Sequence, residues 1–355
     1  KIAVGGCVAS QEGDEIIKRA PFVDAVFGPQ TLHRLPELIN LKEATGKPQI
    51  DISFPEIEKF DNLPISASKK PSAMVSIMEG CSKYCSFCVV PYTRGEEISR
   101  PLEDIITEII KLTTQGASEI ILLGQNVNGY RGMTDNGKIA DFASLIEYIS
   151  EIEEVKRIRF TTSHPNEMSD HLIDCFGNIK KLANHLHLPI QSGSDKVLMA
   201  MKRNYTTLEY KSIVRKLRKK LPNISLTTDI IIGFPTETTK DFDLTKKLFA
   251  DLAFDYSFSF IYSKRPGTPA AYLKDDTPEE LKLERLHEIQ SLNSKQGENH
   301  TQKMIGTIKK KSDTLLGKTD NNRIIEFKES KELLNKFVNV KVSKVLGKTL
   351  IGEQV

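Results

Sequence analysis

From Met74 to Ile261 the chain repeats one unit, a short apolar run followed by an amphipathic stretch at helical spacing. The runs Met74–Met78, Glu119–Leu123, Arg157–Thr162, His185–Leu188, Ile224–Ile232 and Asp255–Ile261 read as strands. Between them Leu102, Ile105, Ile106, Ile109 and Ile110 recur at i, i+3, i+4, i+7 and i+8, and Phe142, Leu145, Ile146 and Ile149 do the same. Ser169–Phe176, the set Tyr210, Ile213, Val214, Leu217 and Leu221, and the set Phe242, Leu248, Phe249 and Leu252 continue the helical series. Alternation of this kind, about six units long, predicts an α/β fold whose parallel sheet curls into a partial (β/α)6 barrel. Chemistry in such folds gathers at the C-terminal ends of the strands.

Those ends carry the polar punctuation: Gly124–Asn128, Thr161–Pro165, Pro189–Ser194, Gly233–Glu237 and Tyr262–Thr268. The end of the first strand carries three cysteines. Cys81, Cys85 and Cys88 form a C-x3-C-x2-C triad, and the chain has only five cysteines in 355 residues. Three thiolates on one loop fit three corners of a [4Fe–4S] cube and leave the fourth iron without a protein ligand. An open iron of that kind is the signature of S-adenosylmethionine (SAM) radical chemistry.

Other uses of three cysteines fit less well. A structural zinc site wants four ligands, usually as two close pairs, and the nearest upstream histidine is His33. A disulfide framework does not suit so few cysteines. A redox dithiol at Cys85 and Cys88 would leave Cys81 idle.

Apolar residues make up 39% of the chain and charged residues 27%, the balance of a soluble globular protein with two or three domains. No run approaches the length of a membrane span, and iron–sulfur chemistry favours the cytoplasm, where thiols stay reduced. The net charge of +3 hides an asymmetry, because residues 301–355 carry +6 and residues 1–300 carry −3. The basic tail contains short β-type runs, Met304–Ile308, Arg323–Phe327, Phe337–Val345 and Thr349–Ile351, preceded by a helix from Glu279 to about Asn299. It predicts a small β-barrel suited to RNA, against the plainer reading of a solvated lysine-rich surface. Residues 1–60 read as a further α/β piece, with strands at Ile2–Val4 and Phe22–Phe27 and a helix from Asp14. Asp61–Pro71 has linker composition. The expected domains are 1–68, 69–300 and 301–355.

The triad and the following Val89–Pro101 resemble the radical-SAM methylthiotransferases, and within them the MiaB group, which acts on tRNA. Gly124–Asn128, His187–Ser194, Asp229–Thr238 and Tyr262–Ala271 match the family in order and spacing, and the tail resembles its TRAM domain. The resemblance covers essentially the whole chain. It implies that Cys81, Cys85 and Cys88 hold the cluster that binds SAM. One electron then yields methionine and a 5′-deoxyadenosyl radical, which takes hydrogen from C2 of an N6-isopentenylated adenine beside the anticodon. A second [4Fe–4S] cluster delivers sulfur, and a further SAM delivers the methyl group. Cys7, in Gly5-Gly-Cys-Val-Ala-Ser-Gln11, matches the last of three ligands to that second cluster. The other two are expected before Lys1, so the chain is expected to be a fragment in which the auxiliary cluster is incomplete.

Lesser assignments follow. Phe87 packs on the SAM adenine or simply shields the cluster. Gln125, Asn126, Gln191, Ser192 and Glu237 bind SAM or substrate, or cap their loops. Arg94, Glu96, Glu97 and Arg100 orient a ligand or pair among themselves, His164 ends a strand or joins the site, and Arg265 is a candidate anion contact. Cys175, in an apolar helical stretch, reads as a small buried hydrophobe. A monomer that binds tRNA and no membrane is expected. The rivals are sister methylthiotransferases acting on threonylcarbamoyladenosine of tRNA or on a ribosomal protein, and a non-catalytic RNA-binding protein with a structural metal.

Overall fold

Each apolar run of the repeat forms a strand: β1 (Ser72–Ser76), β2 (Glu119–Leu123), β3 (Arg157–Phe160), β4 (His185–His187), β5 (Ser225–Ile232) and β6 (Tyr256–Ile261). The computed structural model describes residues 1–53, 60, 70–304, 308–312, 316–327, 333 and 336–355, with backbone alone at 308–312 and 316. Most of the expected linker, including the boundary at residue 68, lies outside the described residues.

The six strands are parallel and lie in chain order, as two three-stranded sheets. Between the sheets the ladder thins to one bridge, Ile158 to Leu182. There Ile158 N–H donates to Lys181 O at 2.8 Å, and Ala183 N–H donates to Ile158 O at 2.9 Å. The seam falls where the chain turns through Ile179–Ala183 before β4 begins.

The connecting helices bury the faces their spacing predicts, with one exception. Phe142, Leu145, Ile146 and Ile149 are all buried, as are Phe242, Leu248, Phe249 and Leu252. On Leu102–Thr114, however, Ile110 is 47% exposed and Leu112 takes its place against the core. Two more positions round a 3.6-residue helix return to the packed side. Polar residues fix the helix starts. Asp141 accepts from Ser144 N–H at 2.8 Å, while Thr206 with Glu209 and Thr238 with Asp241 form capping boxes. Each cap is worth about 1 kcal/mol.

The N-terminal piece is a three-stranded parallel sheet of Ala3–Gly5, Ala25–Phe27 and Gln49–Asp51. The expected strand Phe22–Phe27 is shorter, with Phe22 itself exposed. A helix not expected from the sequence, Cys7–Glu12, starts directly after Gly6, whose φ of +110° permits the sharp exit from the strand.

The tail forms a closed five-stranded barrel of Ile308–Ser312, Leu316–Lys318, Ile324–Phe327, Phe337–Leu346 and Thr349–Gln354. Ile325, Phe327, Val340, Val342 and Leu350 fill it. The strand expected over Met304–Ile308 begins only at Ile308; residues 305–307 lie outside the described residues.

A charged junction joins the tail to the parallel sheets. Arg157 and Arg159 stand on one face of β3, and both donate to Glu119 Oε2, at 3.1 and 3.2 Å. Both also reach backbone carbonyls of the tail. Arg157 donates to Lys318 O at 3.1 Å, and Arg159 donates to Thr319 O at 2.6 Å and Asp320 O at 3.3 Å. No helix among the described residues is long and apolar enough to cross a membrane.

Candidate active site

The cysteine loop leaves β1 through a short antiparallel pair, Met78–Glu79 with Ile98–Ser99. Gly80 has φ +79°, and a Cβ there would stand 2.0 Å from Glu96 O, so only glycine fits. Gly80 N–H donates to the Gln125 side chain at 2.8 Å, Cys81 N–H to Gly95 O at 3.2 Å, and Cys88 N–H to Cys85 O at 2.9 Å. Ser86 locks the loop against the far side of the mouth. Its N–H and hydroxyl donate to Met201 O and Ala200 O, and its carbonyl accepts from Ala270 N–H. Phe87 packs on the apolar set Val197, Met201, Phe234, Tyr262 and Ala270.

Burial pushes the Cys81 thiol up and the Cys88 thiol up to about 11. Thiols so placed ionise when a cationic group binds them. A single zinc ion, with Zn–S bonds near 2.3 Å, brings its thiolates within about 4.6 Å of one another. Among the described residues, the one trio of Cys, His, Asp or Glu with all ligand atoms within 4.8 Å is Glu147, His171 and Cys175 on two surface helices. Three thiols on one loop match the ligand number of a [4Fe–4S] cluster with one open iron.

Four buried polar atoms without a hydrogen-bond partner gather round the strand ends: Asn126 Oδ1, His164 Nε2, Glu237 Oε2 and Tyr262 OH. Buried polar groups are ordinarily satisfied, so such a group of orphans suits a polar ligand. The SAM cluster and its ligand fit the residues present.

The remaining sequence-predicted residues divide. Gln125 supports the cysteine loop, and Asn126 donates to Glu97 Oε2 at 3.1 Å beside it. Gln191, with φ +71°, sits at the end of β4 and bridges to Ile230. Ser192 turns away into a buried cap, accepting from Ser194 N–H and meeting the Thr245 hydroxyl at 3.4 Å. Glu237 is buried against the last helix, Glu279–Gln302; burial lifts its carboxyl to about 6, although Arg285 donates to it at 2.9 Å. Arg100 serves the backbone, donating to Ser76 O and pairing with Glu108. Arg265 is exposed, and Cys175 is buried as expected.

Cys7 is brought to the same mouth from the N-terminal sheet. Arg94 Nε–H donates to Cys7 Sγ at 3.4 Å, and Arg94 also pairs with Glu79 at 2.8 Å. Gln30 completes the seam, donating to Glu79 at 2.9 Å and to Arg94 O at 3.3 Å.

The sequence reading missed Arg203. It is buried and donates to Cys85 Sγ at 3.3 Å, the Tyr205 hydroxyl at 3.0 Å and Pro189 O at 3.2 Å. Beside it His164 stacks edge-on against Tyr205, and burial pushes its imidazole down to about 2, so it is neutral. The local signal for Arg203 was a lone arginine in the Met201–Tyr205 turn, which looks like any polar loop.

Comparison with known proteins resolves the family. A tRNA-2-methylthio-N(6)-dimethylallyladenosine synthase of Methylobacillus flagellatus is 59% identical, over 100% of this chain and 82% of that protein. The chain belongs to this synthase family. A second member, from Chromobacterium violaceum, is 58% identical over 99% of this chain and 81% of its own length. The Radical SAM superfamily profile matches residues 75–249 and the TRAM domain profile residues 305–355. Among solved structures, the radical S-adenosylmethionine methyltransferase TsrM of Kitasatospora setae shares the fold at a TM-score of 0.59 and 16% identity. That match covers 76% of this chain and 58% of TsrM.

Proposed function

We propose that this chain is a radical-SAM tRNA methylthiotransferase that places a methylthio group at C2 of N6-isopentenyladenosine beside the anticodon. The observation that carries the reading is the meeting of Cys7 with the Cys81 loop across Arg94, in a chain 59% identical to a synthase of that name. The six strands make up a partial (β/α)6 barrel within residues 69–300, flanked by an N-terminal α/β domain over 1–68 and a TRAM barrel, and the enzyme works in the cytoplasm.

Cys81, Cys85 and Cys88 would hold a [4Fe–4S] cluster, and Cys7 would contribute to a second one. Bound there, these groups and SAM supply one-electron cleavage of SAM, hydrogen removal at adenine C2, and sulfur. The protein's own residues bind and orient. Arg203 holds its guanidinium at Cys85, where it would offer charge-assisted hydrogen bonds to a carboxylate group of SAM. Phe87 and its apolar neighbours keep water from that side. Gln125 and Gly80 fix the loop, and the pair Glu237–Arg285 fixes the end of β5. Gln191 and Asn126 present polar groups to SAM or the nucleotide.

Mass spectrometry of tRNA nucleosides tests the reading. Cells lacking the protein should lose the 2-methylthio form and accumulate N6-isopentenyladenosine, and the full-length protein should restore it. Loss of a threonylcarbamoyl derivative instead would assign the chain to a sister activity.

A further inference from the structure

Strand β6 exposes three aromatic side chains in a row. Tyr256, Phe258 and Phe260 are 38%, 48% and 57% exposed, while the alternate residues Ser257 and Ser259 face the other way. Ser257 is buried and exchanges hydrogen bonds with Asn293 of the last helix. Tyr256 and Phe258 meet edge-on with ring centres 5.0 Å apart, and Phe258 meets His187 of β4 at 6.0 Å, so the row stands on the face that β6 shares with β4 and β5. Single exposed aromatics are common, but three in register are a patch, and patches mark binding surfaces.

The surroundings say what binds. Tyr256 and Phe258 line a cavity of about 960 Å³ between the parallel sheet and the tail barrel, with His187, Thr227, Asn322 and Arg323 among its walls, Arg323 being paired there with Asp255 at 2.9 Å. Lys348 of the tail stands 5.4 Å above the Tyr256 ring. At the other end, Phe260 lies beside Ile231, which packs into the apolar group around Phe87 of the cysteine loop. The row therefore runs from the basic tail to the cysteine mouth. Aromatic rings spaced along a strand, with a lysine over one end, suit unpaired bases with their phosphates on the side of the basic tail. A duplex keeps its bases stacked inside and has nothing to offer the rings.

We propose that Tyr256, Phe258 and Phe260 form a stacking ladder for the unpaired nucleotides of an RNA loop, leading the target base from the tail barrel to the cysteine mouth. The proposal rests on the RNA reading above and adds the surface that holds the loop.

The test uses the full chain with the cluster of the Cys81 loop reconstituted, an RNA hairpin with an unpaired loop, and a blunt duplex of its stem. Tyr256→Ala and Phe258→Ala should each weaken hairpin binding about 5- to 100-fold, leave duplex binding unchanged, and keep the wild-type dependence on salt. Phe258→Trp should retain affinity. Because the chain has no tryptophan, its emission reports this position alone and should be quenched by the hairpin and not by the duplex. Unchanged hairpin affinity in both alanine variants, equal losses on hairpin and duplex, or unquenched emission at saturating hairpin would overturn the ladder while leaving RNA binding intact. Failure of the wild-type chain to bind either RNA would overturn the RNA reading itself.

Discussion

The two ends of the parallel sheets treat buried charge in opposite ways. At the tail junction Glu119 pairs with two arginines, which also donate to backbone carbonyls of the TRAM barrel. At the cysteine mouth, Arg203 donates to a thiol, and Asn126, His164, Glu237 and Tyr262 each hide an unpartnered polar atom. One end has spent Glu119, Arg157 and Arg159 on one another and on the tail, with Arg323 Nε the unpartnered exception there. The other keeps its polar atoms for something that binds. The difference separates a joint from a site more sharply than residue type does, since both ends contain buried arginine and glutamate.

Breaking each end should have a different consequence. The largest effect is expected at the mouth. Cys85→Ala should reduce 5′-deoxyadenosine formation from SAM to background, while Cys175→Ala, which removes a buried thiol elsewhere, should keep it. Chromatographic assay of reduced, reconstituted protein checks both.

At the junction, Glu119→Ala takes the shared carboxylate from two buried arginines and should cost about 3–5 kcal/mol in denaturant unfolding, with the cysteine loop intact. Burial pushes the Glu119 carboxyl up, but Arg159, Arg157 and their hydrogen bonds outweigh it and hold the carboxyl below its usual value. Its contribution is therefore fully present above about pH 4.5 and lost as pH falls through the lower folded-state value. Glu119→Gln should remove that part of the acid sensitivity.

A smaller effect is expected at Arg203. Arg203→Met should weaken SAM binding by about 1.5–3 kcal/mol in equilibrium titration, with cluster absorption retained. His164 should give the smallest. Its folded-state value lies far below 6.5, so the unfolded chain takes up a proton that the folded chain refuses. Stability is full above pH 6.5 and declines below it, by about 1 kcal/mol at one unit lower. His164→Asn should flatten that decline in thermal melts recorded from pH 7 to 5.5.

The strand–helix repeat and the cysteine spacing were legible in the sequence because both are local patterns, set by the period of a helix and the reach of a loop. The junction was not. Glu119, Arg157 and the tail carbonyls meet only after folding, although two arginines inside a buried strand run were a signal that both need partners. The helix at Cys7–Glu12 escaped because its start depends on Gly6 turning the chain, and its Cys-Val-Ala-Ser face has no strong periodicity. Ser192 looked like a ligand contact because its loop is polar; Thr245, far along the chain, draws its hydroxyl into a cap instead. Arg203 stayed hidden for the same reason, its partner Cys85 being 118 positions away.

The central claim is that Cys81, Cys85 and Cys88 hold a cluster with one iron left open for SAM. Mössbauer spectroscopy of the anaerobically reconstituted, iron-labelled protein, before and after adding SAM, tests it most directly. The account predicts a [4Fe–4S] signal at the triad in which one iron site of the four changes when SAM binds. Stoichiometric zinc in place of iron, or a cluster whose four sites are all indifferent to SAM, would contradict it.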